Sequence, residues 1–161
     1  MLLSEVWTWL DRSALGSTVR GGIWLYPAIE TAHILGLATF FGSIALLDAR
    51  LLGASRSLLL RLFSGHALPA AYGAFAVLVV TGSLMFVADA SELAANTAFQ
   101  VKLVLIAMAG FNVLLFNFAW FRGPRAEVRE ERLPVAAKVS AAASLCLWTA
   151  VLVMGRLIAY V

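Results

Sequence analysis

The chain has 161 residues, 62% of them hydrophobic and only 13% charged, with a mean hydropathy of +0.91. A soluble domain of this size needs about 25% charged residues to cover its surface, so the composition excludes one and implies an integral membrane protein. The formal charge of +3 arises from 12 basic and 9 acidic residues with no Arg/Lys stripe interleaved with aromatics, which argues against nucleic acid as a partner.

The N-terminus lacks the basic start of a signal peptide and carries Glu5 and Asp11 where an apolar core would lie. Leu3, Val6, Trp7, Leu10 and Ala14 recur at helical spacing opposite Ser4, Glu5, Thr8, Asp11 and Arg12. This predicts a short amphipathic interfacial helix over about residues 3–15, anchored by Trp7 and Trp9. Four apolar stretches follow, over about residues 22–47, 67–88, 98–121 and 135–160, each long enough to cross about 30 Å of hydrocarbon. Between the first two, residues 57–64 with Arg56 and Arg61 read as a second interfacial segment, and Pro69 as opening the next span. An acidic loop (89–97) and a charged loop (122–134) complete the connections, leaving room for one membrane domain and no soluble one.

Orientation follows from Lys and Arg. Arg50, Arg56, Arg61, Arg122, Arg125, Arg129, Arg132 and Lys138 flank one end of the spans, and Arg12, Arg20, Lys102 and Arg156 the other. The excess predicts cytoplasmic basic loops and both termini outside. Small residues at helical spacing (Ala32 with Gly36, Ala38 with Gly42, Gly73 with Val77, Thr81 with Gly82, Ala136 with Ser140 and Ser144) supply surfaces for close helix approach. With short loops, the expected fold is all-α: an antiparallel up-down four-helix transmembrane bundle.

Nothing points to soluble-enzyme chemistry: there is no Gly-rich phosphate loop, nucleophile elbow or His-Glu-x-x-His. Two histidines and the single Cys146, which lies in an apolar run as a small hydrophobe, predict no metal site. One constellation stands out. Tyr26, Glu30, His33, Leu37, Phe41, Ile44 and Asp48 share a helical face, with Glu30 and His33 as i,i+3 neighbours about 13–18 Å below the outer end. A carboxylate in hydrocarbon needs neutralisation, pairing or hydration, so the pair either ties helices together or handles a proton or cofactor. Glu-x-x-His also has the spacing of di-iron bundles, but it occurs once and no other span supplies a deep carboxylate. Haem b is the cofactor considered, with His33 as one axial ligand and Met108, closer to its depth than the interfacial His66, as the other. Asn112 is the expected hydrogen-bond partner of Glu30 and His33, or else a link between two helices, whereas Asn117 and Trp120 lie nearer the cytoplasm.

The run Trp24-Leu25-Tyr26-Pro27, the Glu30-x-x-His33-x-x-Gly36 motif, Gly42-Ser43 and Leu47-Asp48-x-Arg50-Leu51-Leu52-Gly53 resemble a group of small bacterial four-span proteins classed as a domain of unknown function. Leu68-Pro69, Thr81-Gly82 and Asn96-x-Ala98-Phe99-Gln100-x-Lys102 extend the likeness over nearly the whole chain. The resemblance implies four spans in a bacterial inner membrane and draws attention to His33, but implies no activity. Its members are expected to carry His where this chain has Asn117. The expected function is a cofactor- or proton-handling membrane component built on Glu30 and His33. Alternatives are an accessory or assembly subunit docked in a larger membrane complex, and a small dimeric transporter. Beyond the lipid bilayer, the expected partners are a second copy or such a complex.

Overall fold

The computed structural model describes residues 2–54, 60–118 and 134–160. Seven helices and no strands occur among them: α1 (Leu2–Asp11), α2 (Ala14–Gly21), α3 (Leu25–Leu52), α4 (Leu60–Ala88), α5 (Ala90–Ala95), α6 (Thr97–Phe116) and α7 (Val135–Leu157). The helices α3, α4, α6 and α7 are long and apolar enough to cross a membrane. The chain is a multi-pass all-α membrane protein.

The expected interfacial helix is two helices. Ser13 breaks it: its backbone is extended and its Oγ accepts from the Gly16 amide at 3.1 Å, capping a new helix, α2. Trp9 faces outward at 69% exposure, as an anchor would, whereas Trp7 turns inward and meets Phe86 of α4 edge-on, centroids 5.6 Å apart. Gly16 is required here by close approach. A Cβ on it would meet the backbone oxygens of Leu10 and Val87 at 2.8 Å and of Asp11 at 3.0 Å.

The first span begins later and ends later than its hydropathy suggests. Gly22 closes α2, so α3 starts at Leu25, with Pro27 in the first turn where its missing N–H costs nothing. It runs to Leu52 and stops at Gly53, whose φ of 110° is open to glycine but strained for other residues. The second span departs further. Its helix is continuous from Leu60, so Pro69 is interior rather than first and removes the amide that would bond the Gly65 carbonyl. Residues 57–59 of the expected interfacial segment lie outside the described residues, as do Arg56, Trp120, Phe121, Arg122, Arg125, Arg129 and Arg132. The acidic loop contains a helix, α5, whose first amides, Ala90 N and Ser91 N, are donated to the Asp11 carboxylate. Arg20 then joins Asp11, through its carbonyl at 2.6 Å, to Asp89 at 3.9 Å.

In the bundle, α3 packs against α4 on one side and α7 on the other, and α6 packs against α7. Phe40, Ala71, Ala74, Ala109, Trp148 and Val151 form the shared core. The backbones of α4 and α6 do not come within 8 Å of one another among the described residues, and a stacked Phe86–Phe99 pair, centroids 5.4 Å apart, links these two helices by side chains. The small-residue faces divide. Gly36 receives Leu78 and Val77 against its backbone, a Cβ there meeting both at 3.4 Å, while Gly42 and Gly73 have nothing within 4 Å. Cys146 is exposed on the bundle surface rather than packed inside.

Candidate functional site

Eight residues into α3, about 12 Å along the helix, stands His33. It is half-buried, and its Nδ1 lies 2.8 Å from Thr81 Oγ1 of α4. Thr81 has one hydroxyl proton and donates it to the Val77 carbonyl, one turn back on its own helix, with 2.7 Å between Oγ1 and the carbonyl oxygen. The threonine oxygen must therefore accept from the ring. In the neutral ring this places the proton on Nδ1 and leaves Nε2 with its lone pair.

The neighbouring residue, Gly82, lets the ring lie against α4, since a Cβ there would stand 3.4 Å from His33 Cε1. Lys102 of α6 is the charged side chain whose field reaches the imidazole. Its ammonium rests on Gly155 of α7, 3.4 Å from where a Cβ would be. The ring thus packs on α4, while Lys102 ties α6 to α7. Among the described residues no carboxylate forms an ion pair with Lys102.

The expected partnership of Glu30 with His33 does not form. Glu30 is exposed and makes no hydrogen bond to the ring. The reason lies in the turn of α3 and in what covers it. Its apolar buried stripe is Ile29, Gly36, Phe40, Leu47 and Leu51, turned about 80° from the face containing Tyr26, Glu30, Leu37 and Phe41, and Asp48, at the same angle as Glu30, is buried only where α7 covers the far end. His33 lies near enough to both faces to stay inside, and Glu30 does not. Tyr26 packs instead into a separate apolar cluster with Val19, Ile29 and Ala88, where α2 meets α3 and α4.

Asn112 takes the structural role. Its Nδ2 donates to the Ser140 carbonyl at 3.0 Å and its Oδ1 accepts from the Ser140 hydroxyl at 2.9 Å, joining α6 to α7 away from His33. Met108 is 52% exposed on the outside of the bundle, so its thioether is not presented to His33 as a second axial ligand. His66 is exposed fifteen residues before Thr81, about 22 Å along α4 from the level of His33. The described residues include no cluster of three His, Cys, Asp or Glu side chains that could hold a metal ion.

Thr81 had a signal in the sequence, as the polar member of the small pair Thr81-Gly82, yet spacing within one helix cannot tell which neighbour it faces. Asp48 was legible as the last polar member of the face shared by Glu30 and His33, but not as a buried one; the structure buries it to 6% exposure between α3 and α7. No protein-family model, curated protein or solved structure matches the chain.

Proposed function

We propose that this chain is a proton-handling membrane component in which His33 takes up and returns the proton. The observation that carries the reading is the hydrogen-bond chain from His33 Nδ1 through Thr81 Oγ1 to the Val77 carbonyl. By holding Nδ1–H in place it aims a basic Nε2 from within a span, the arrangement a proton acceptor needs. Uptake forms an Nε2–H bond; release breaks the same bond and leaves Thr81 and Val77 undisturbed. An ionisable side chain inside a span is costly, which favours a working role over an ornamental one. Glu30 has no part in this reading. The excess of Lys and Arg in the sequence between the first and second spans and between the third and fourth supports placing those connections in the cytoplasm of a bacterial cell and both termini outside.

The test uses the chain's two histidines. Ring-labelled nitrogen resonances of the protein in lipid give two sets, and His66→Gln assigns them. His33 is expected as the Nδ1–H tautomer at high pH, with Nε2 titrating and the tautomer preference lost in Thr81→Val. Nitrogen shifts of His33 that stay constant from mildly acidic to mildly alkaline pH overturn the proposal.

A second reading, that of an accessory subunit docked through its small-residue faces, is favoured by Gly42 and Gly73, which the described residues leave uncovered. Its test is the mass of the complex released in mild detergent. A monomer without companions rejects it.

A further inference from the structure

The spans hold a second ionisable group, and it is better enclosed than the first. Asp48 sits one turn before the end of α3, 6% exposed, with an Oδ2 that is fully covered and has no hydrogen-bond partner among the described residues. From α7 the Ser144 hydroxyl, itself 5% exposed, faces the carboxyl. Among the described residues no charged side chain acts on it: Arg50 leaves α3 two residues on, at another angle, and both Lys138 of α7 and His66 of α4 are exposed. One turn beyond Ser144, Trp148 Nε1 is likewise buried without a partner, so this stretch of the α3–α7 interface offers the carboxyl no second donor that reaches it.

A carboxylate enclosed in this way loses its water and gains one hydroxyl in return, a poor exchange in a low-dielectric interior. The neutral acid does not carry that cost. We propose that Asp48 is a proton-binding site: the proton is held on Oδ2, and the other oxygen accepts from Ser144. The proton comes from water at the near end of the bundle, one helical turn away at Gly53, and returns to it.

This goes beyond the role given to His33. The two groups are fifteen residues apart on one helix, about 22 Å by rise, and the edge-on Phe40–Trp148 pair, centroids 4.6 Å apart, is packed between their levels. Each group therefore exchanges with its own end of the bundle.

The experiment is an infrared pH titration of the full chain in lipid vesicles. A protonated-carboxyl C=O band that fades as pH rises is expected in the native chain, lost in Asp48→Asn and kept in Glu30→Gln and His33→Gln. Ser144→Ala retains the acid but removes the hydrogen bond to its carbonyl oxygen, so the band moves to higher frequency; this variant decides the matter if Asp48→Asn does not fold. A native chain without the band, as when an alkali cation occupies a carboxylate, overturns the proposal, as does a band that persists in Asp48→Asn or is unmoved in Ser144→Ala. Loss of the His33 titration in the nitrogen experiment leaves the band untouched, so the two proposals fail separately.

Discussion

Glu30 and Asp48 leave α3 at the same angle, eighteen residues and about five turns apart, yet Glu30 is exposed and Asp48 is 6% exposed. The difference is the cover: α7 lies over the far half of α3 through Ser144 and Trp148, and the level of Glu30 is left open. Glu30→Gln is therefore expected to change stability by less than about 0.5 kcal/mol. Asp48→Lys puts an unpaired cation into the α3–α7 interface and is expected to cost about 3 kcal/mol or more. Thermal unfolding in one detergent compares them, and equal losses would sink the assignment of inside and outside.

Thr81→Val removes the acceptor for His33 Nδ1 while keeping the shape of the side chain. The half-buried ring nitrogen then has no partner, at an expected cost of about 1–3 kcal/mol. Thr81→Ser keeps the hydroxyl and is expected to retain most of the stability and the Nδ1–H tautomer. Unfolding by a denaturing detergent titrates the first statement. A Val variant as stable as the Ser variant would show that the 2.8 Å contact contributes nothing.

Two glycines with opposite surroundings give opposite expectations. Gly16→Ala drives a methyl group onto three backbone oxygens, none of which can rotate away, and is expected to cost about 1–3 kcal/mol and loosen α2 from α4. Gly73→Ala meets nothing within 4 Å and replaces a flexible helix position, so it is expected to be neutral or to stabilise by up to about 1 kcal/mol. Limited proteolysis around residues 12–22 reports the first effect. If Gly73→Ala disrupts the protein in its membrane but not as an isolated monomer, the docking of another chain on that face gains support.

The spans were legible because hydrocarbon thickness dictates their length; what faces what along them was not. In water, the polar side of a helix marks the outside. In lipid, Ile34 and Leu35 are exposed at 59% and 64% while the equally apolar Phe40 and Leu47 are buried, so hydrophobic periodicity carries no sign. That is why spacing could not tell that Glu30 is exposed and Asp48, on the same face, buried, nor choose between the two roles open to Asn112. The helix α5 and the seat of α2 on α4 were hidden for another reason: both depend on the Asp11 side chain and the Gly16 backbone meeting segments some seventy to eighty residues away.

The Asp11 clamp has a sign in pH. Its carboxyl is held below the ordinary aspartate value, first by the Ser91 side chain, against the loss of water on burial, and then by the Ser91 and Ala90 amides and Arg20. The unfolded clamp therefore binds protons more readily than the folded one. Its contribution is complete above the ordinary aspartate range, about pH 4, and is lost as pH falls through the lower folded value. Hydrogen exchange at the Ala90 and Ser91 amides is expected to accelerate in that acid window in the native chain. Asp11→Asn, which keeps an acceptor but cannot titrate, is expected to remove the pH dependence; the same acid acceleration in both proteins would assign the effect to another group.

Asn112 and Ser140 exchange two hydrogen bonds, one through the Ser140 backbone and one through its hydroxyl, and this predicts unequal single substitutions. Ser140→Ala removes the hydroxyl alone and leaves the carbonyl to accept from Asn112, so its cost is expected to be the smaller. Asn112→Ala removes both and is expected to cost about 1–2 kcal/mol, the upper part of what hydrogen bonds between spans contribute. In the double variant the hydroxyl bond has already gone, so the two losses are expected to fall short of additive by about 0.6 kcal/mol. The nitrogen titration of His33 is expected to be the same in all three variants, because the pair bridges α6 and α7 and touches neither His33 nor Thr81. A shifted His33 titration in Asn112→Ala, with the fold intact, would instead tie Asn112 to the histidine.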